Sequence, residues 1–275
     1  MTPAPGISRA FLSYSDLLLS IAIAQWTTRD ARKEIHDFVD ELNGVKPGFA
    51  FNKDVVLKAG LVLTDVSDIG FKVTNFNRVN MAKLEEHWDS VTGALRLATG
   101  LLADFGLSAA TLTANSVLIP IAYYVHHAAL GEAYRRGSAS LEDRRRLRNW
   151  VVRTLIKPGI WGSGLDTLLR ELRRVIGVEG VSGFPASAVE AAMAARGKAL
   201  AFTPEELTDL VEMPFGDKRV FALLALLYPH VDTRNLFHID HVFPRALFKR
   251  AALVQAGSHP PRVCGYPDKA KSPPH

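Results

Sequence analysis

A single cysteine, Cys264, is all that the 275 residues contain. No disulfide can close within the chain, and no cysteine-built zinc site can form in it; such a composition suits a reducing compartment. Long apolar runs are lacking too. No segment reaches the roughly 18 apolar residues that a membrane span needs, and the stretch Val117–Val125 is interrupted by Pro120 and a tyrosine pair. Met1–Ala10 lacks the apolar centre of a signal peptide. Alternation with period two is scarce, which leaves little room for strands, and no internal repeat is visible. The expectation is a cytoplasmic protein without a membrane partner.

What is present is core material and positive charge. Hydrophobic residues make up 48% and charged residues 22% of the chain, ordinary values for a globular protein. The net charge is +5 with a pI near 9.3, which permits nucleic acid as a partner without demanding it. The distribution says more. Between Gly131 and Ile176 there are eleven Arg/Lys against five Asp/Glu, 11 − 5 = +6, more than the surplus of the whole chain.

The periodicity is helical from Ser13 onward. Ser15 is placed to cap a helix through Trp26. A second helix is expected from about Arg29 to Asn43, with Ile35, Phe38, Val39 and Leu42 on one face and Gly44 to end it. A third covers Lys53–Asp65. Asn80 can cap a long helix in which Leu84, Trp88, Val91, Leu95 and Leu102 form a stripe. Pro120 predicts a kink or a restart within 111–130. Ser140 followed by Asp143 resembles a capping box opening an arginine-rich helix to about Ile156. Further helices are expected over Gly164–Ile176, from Thr203-Pro204-Glu205-Glu206, and over Asp217–Tyr228, with Gly177–Pro185 as a loop. The one expected strand is Leu236–Asp240. The proline-rich residues 257–275 and residues 1–12 read as tails. The domain expectation is therefore a tail over 1–12, a helical region over 13–230, a partial nuclease element over 231–256 and a tail over 257–275. The fold class is mainly α: a helical, bundle-like region followed by a truncated ββα-type element.

The chemistry is concentrated in Asn235-Leu236-Phe237-His238-Ile239-Asp240-His241-Val242-Phe243-Pro244. Hydrolysis of a phosphodiester needs a base for water, a cation at the scissile phosphate, and both held in line with the bond. Asp240 offers a hard oxygen ligand suited to Mg²⁺ or Mn²⁺. His241 can act as general base near neutral pH. On a strand, His238 shares a face with Asp240. Taken alone, these residues also fit an ordinary surface Asp-His pair.

The segment resembles the Asp/Glu-His-x-x-Pro element of the HNH nuclease in GmrSD-type, modification-dependent restriction endonucleases. Upstream, Leu12-Ser13-Tyr14-Ser15-Asp16-Leu17-Leu18-Leu19-Ser20, Asn75-Phe76-Asn77-Arg78, the helix with Trp88-Asp89, and Leu118-Ile119-Pro120-Ile121-Ala122-Tyr123-Tyr124 resemble the helical part of the family's N-terminal half. The resemblance covers about residues 11–253. It implies metal-dependent cleavage of DNA, modified DNA in particular, as a defence against phage, with Asp240 and His238 as ligands of Mg²⁺ or Mn²⁺ and His241 as general base. The family also carries a ParB-like nucleotide-binding domain with an Asp-Gly-Gln-Gln-Arg motif, absent here, and a later Asn and Lys that complete the metal site; after Phe248 this chain has no Asn. The expectation is a fragment, inactive as a nuclease alone, whose partners are DNA and the missing nucleotide-binding half. The rival expectations are a DNA-binding or docking module without catalysis, and a remnant without function.

Among the remaining candidates, Arg144, Arg145 and Arg148 stand at i, i+1 and i+4, so they fall on neighbouring faces while Arg146 turns away. With Arg135, Arg136 and Arg153 nearby they can follow phosphates; the alternative is a solvated helix face. His126 and His127 are adjacent and so share no face, which favours packing over a joint metal site. Trp26, Trp88, Trp150 and Trp161 are expected in the core.

Overall fold

A computed structural model of the chain describes residues 14–214 and 216–232. The chain divides into two units, Met1–Leu236 and Phe237–His275, and all of the described residues belong to the first. The expected strand Leu236–Asp240 lies outside the described residues, and no strand occurs among those described. Instead twelve α-helices succeed one another: α1 (Tyr14–Gln25), α2 (Ala31–Gly44), α3 (Lys53–Leu63), α4 (Arg78–Glu86), α5 (Trp88–Asp104), α6 (Leu118–His127), α7 (Glu132–Arg136), α8 (Leu141–Ile156), α9 (Leu165–Glu179), α10 (Ala186–Ala195), α11 (Pro204–Val211) and α12 (Arg219–Leu227). The mainly α expectation holds for this region. None of these helices is long and apolar enough to cross a membrane.

Two helices are buried along most of their length. Every residue of α6 from Leu118 to Val125 is buried, and so is every residue of α3 from Val55 to Leu63. A helix apolar all round needs neighbours on every side. For α6 these are α5, α3 and α9. Pro120 sits in the first turn of α6, where its missing N–H removes no helical bond; the helix restarts there after a 3-10 turn over Asn115–Val117. The helices α3 and α4 approach closely at Gly60, where a Cβ would lie 2.7 Å from Leu84 Cδ1.

The caps explain where the expectations hold and where they shift. The helix expected from Thr203 starts there, and Thr203 and Glu206 form a reciprocal box: Glu206 N–H donates to Thr203 Oγ1 at 3.3 Å and Thr203 N–H to Glu206 Oε2 at 2.8 Å. By contrast, α1 already includes Ser15, which is therefore not its cap. Asn77, not Asn80, caps α4, accepting from Asn80 N–H at 3.0 Å. The helix expected from Asn80 is two helices meeting at His87, although Leu84, Trp88, Val91, Leu95 and Leu102 are all buried as the stripe required. The Ser140–Asp143 box does not form. Residues Ser138–Ser140 make a 3-10 turn, Ser140 lacks the extended backbone of a cap, and the Asp143 carboxylate is engaged elsewhere. The segment 177–185 is less of a loop than expected, since α9 runs to Glu179 and a 3-10 turn comes next.

Glu85, on α4, organises the α1–α2 connection. Only 8% exposed, its carboxylate accepts from the backbone N–H of Thr27 (3.0 Å), Thr28 (2.6 Å) and Arg29 (3.0 Å) and from Thr28 Oγ1 (2.7 Å). Burial opposes the charge, but these donors outweigh it and hold the carboxyl at about 2. Arg29 then pairs with Asp89 through two bonds of 2.8 and 2.7 Å, joining the same connection to α5.

Candidate nucleic-acid interface

The C-terminal end of α5, the short helix α7 and the first turns of α8 enclose a cleft of about 700 Å3, lined by Asp104, Phe105, Arg135, Arg136, Leu141, Arg144, Arg145 and Arg148. The helical spacing therefore does bring Arg144, Arg145 and Arg148 to one concave surface. Arg146 faces away, bonding Asp143 at 3.0 Å and lining a separate depression beside Phe184. Arg153 points toward α10 and pairs with Glu190 at 2.5 Å.

The five arginines of the cleft differ in what they already hold. Arg135 is clamped by Asp104 through Nε (2.8 Å) and Nη2 (2.9 Å), with Glu132 at 3.1 Å. Its guanidinium lies on the backbone of α5 at Gly100, where a Cβ would be 2.6 Å from Cζ. Arg145, 62% exposed, pairs with Glu142 one turn away. Arg144 donates to the carbonyls of Tyr134 and Gly137, the latter at 2.8 Å, and so fastens the end of α7 to α8. Arg148 donates to Ala225 O at 3.1 Å, in the last turn of α12. Arg136 is exposed. Arg136, Arg144 and Arg148 form no ion pair among the described residues. Three positive charges without counter-charge thus share one cleft, and burial pushes the Arg148 guanidinium down from its ordinary value. Of the three arginines singled out from the sequence, two also tie backbone segments together, so Arg136 and Arg145 are the residues most open to a ligand.

No family model matches the chain, and no curated protein matches it.

Behind the cleft, Asp143 holds α7 in place. Its Oδ2 accepts from Tyr124 Oη (2.5 Å) and Tyr134 Oη (2.7 Å), and its Oδ1 from Phe184 N–H (2.7 Å) and Arg146. Burial alone would raise this carboxyl, but the four donors more than offset it and its pKa lies below the usual range. Burial, and then the bond to Asp143, push Tyr124 and Tyr134 upward, so both hydroxyls stay protonated as donors.

His238, Asp240 and His241 lie outside the described residues. Among the described residues, no group of three or more His, Cys, Asp or Glu side chains is placed to hold a metal ion. His127 stacks on Tyr123 with ring centroids 5.8 Å apart, in keeping with packing. Trp26, Trp88 and Trp150 are buried as expected, while Trp161 is half-buried against Trp150. The clamp on Arg135 has no sequence signal, because Asp104 is separated from it by 31 positions and no local pattern links the two.

Proposed function

We propose that this chain is the DNA-engaging helical part of a metal-dependent endonuclease of the GmrSD restriction type. The observation that carries the reading is the arginine cleft. Guanidinium groups bind phosphate oxygens through paired, parallel hydrogen bonds, and a concave wall with three uncompensated charges suits the ridge of a nucleic-acid backbone. Such contacts position without reading sequence. The ordered positive charge is assembled by two helices, α7 and α8, and backed by the Asp143 network, which an incidental run of exposed arginines would not require.

In this reading hydrolysis belongs to the segment after α12. Asp240 and His238 would hold Mg²⁺ or Mn²⁺, which supplies charge neutralisation at the phosphate, and His241 would take the proton from water. One carboxylate and one imidazole make a sparse ligand set, so the chain alone is expected to cleave poorly or not at all, with the remaining ligands and the nucleotide-dependent control supplied by a partner half. A module that binds DNA without cleaving it is the second reading, favoured by the same arginine cleft, which needs no hydrolytic group to meet phosphates.

The test is duplex binding over a range of salt. Three or four phosphate contacts give a slope of log affinity against log salt of about −3 to −4. Arg136→Gln with Arg145→Gln should lower the affinity and flatten the slope by about 2 without altering the fold, since among the described residues neither side chain bonds another helix. Replacing Arg144 and Arg148 would confuse binding with stability. An unchanged slope in the double variant would reduce the cleft to a solvated surface. Plasmid nicking with Mg²⁺ or Mn²⁺ separates the two readings: cleavage abolished by His241→Ala supports the nuclease, and retention of DNA without cleavage supports the module.

A further inference from the structure

We propose that phosphate occupancy of the arginine cleft and docking of α12 on α8 stabilise each other through Arg148. The inference rests on the phosphate-binding reading of the cleft and concerns its regulation.

Arg148 belongs to both places at once. It lines the cleft, and its Nη2 donates to Ala225 O at 3.1 Å, within the last turn of α12. The end of a helix presents carbonyls without helical partners and a partial negative charge, so a guanidinium there is well placed. It is also half-buried and has no carboxylate beside it among the described residues. Docking of α12 therefore withdraws a cation from water and returns only a carbonyl.

The helix is fastened chiefly to one neighbour. Ala222 and Ala225 are buried, Phe221, Leu223 and Leu226 are half-buried against the core, Leu224 and Leu227 are exposed, and α8 is its principal neighbour. A helix of nine residues does not persist without tertiary contacts. Its position thus depends on how well α8 receives it.

A phosphate in the cleft changes that balance. The planar guanidinium has five N–H donors, so one edge can keep the Ala225 carbonyl while another takes phosphate oxygens. The anion supplies the counter-charge that docking lacks. Docking in turn holds the guanidinium in a fixed orientation for the anion. Reciprocity is required by linkage: whatever factor the anion adds to docking, docking adds to anion affinity. Since α12 is the last described helix before His238, Asp240 and His241 in the sequence, loading of the cleft would be felt by the helix that leads into the proposed hydrolytic segment.

The experiment is amide hydrogen exchange on the full chain, alone, with a saturating short DNA duplex, and with inorganic pyrophosphate. In the wild type, either ligand should slow exchange in 219–227 by about tenfold or more, through stabilisation of a local opening. In Arg148→Gln the slowing should shrink to within about twofold, while Arg136 and Arg145 still retain duplex. Arg148→Lys, which keeps the charge but not the fork, should restore part of it and guards against loss of α12 in the Gln variant. Duplex binding with no change in α12 exchange would overturn the coupling and leave the DNA reading standing. Slowing by pyrophosphate without duplex binding would uphold the coupling and overturn the DNA reading. Full slowing in Arg148→Gln would show that the route runs elsewhere, and binding of neither ligand would overturn both.

Discussion

Glu85→Gln should destabilise the helical region by about 2–4 kcal/mol at neutral pH. Hydrogen bonds to a charged group each contribute about 1.5–3 kcal/mol, and Glu85 receives three from backbone N–H groups and one from Thr28 Oγ1. Glutamine keeps part of each contact, so their full sum is not lost, and the depressed pKa, which reflects the same donors, sets the size. A folded carboxyl at about 2 against an ordinary value of 4.5 corresponds to about 3 kcal/mol favouring the charged, folded form. Glutamine keeps the shape but turns one oxygen into an NH2 group that faces N–H donors. Because the folded value is depressed, this stabilisation is fully present above the ordinary carboxylate range. It is lost as the pH falls from about 4.5 to about 2. Urea unfolding monitored by circular dichroism, at neutral pH and again in acid, measures both effects. The gap between wild type and variant should be widest at neutral pH and should narrow on acidification. A variant within about 0.5 kcal/mol of wild type at neutral pH, the range of an ordinary surface change, would refute the argument, as would a gap independent of pH.

Two other substitutions probe the frame of the cleft and the contact between α3 and α4. Asp143→Asn removes the charge that receives Tyr124, Tyr134, Phe184 N–H and Arg146; thermal unfolding should show a loss of about 2–4 kcal/mol, and duplex affinity should fall with it because α7 loosens. Wild-type stability in this variant would mean that the amide satisfies the same donors. Gly60→Ala gains about 1 kcal/mol of helix propensity but pushes a methyl into Leu84, 2.7 Å from the new Cβ, at an overpacking cost of about 1–3 kcal/mol. Denaturant unfolding should therefore show a modest net loss, and a raised midpoint would mean that Leu84 has room to turn.

The legibility of this fold in its sequence tracks the range of the forces involved. Apolar stripes and a capping box are written within a few residues. Ile35, Phe38 and Leu42 are accordingly buried on α2, and Thr203 caps α11 with Glu206. Cap choice among nearby polar residues is less legible: Asn77 and Asn80 differ by one turn, and tertiary packing decides which adopts the extended backbone. The helix α10 has a weak signature because its alanines give no strong apolar stripe, although alanine is the best helix former. The gathering of Arg144, Arg145 and Arg148 is legible from spacing alone. Their separate duties are not, since Ala225 lies 77 positions from Arg148. Glu85 gives no signal either, because its donors, three backbone groups and the Thr28 hydroxyl, lie more than fifty positions away.

Gly100 gives the cleft a tuning point that is not itself charged. Its missing side chain is what lets the Arg135 guanidinium rest against α5 and meet Asp104. A single added methyl at that position would displace the guanidinium from its seat and loosen its clasp on Asp104, freeing a cation and a carboxylate that line the same cleft. The arrangement of charge in the cleft is thus adjustable by a change that neither adds nor removes an ionisable group. A lineage could alter its grip on polyanions through a residue that a survey of charge would pass over.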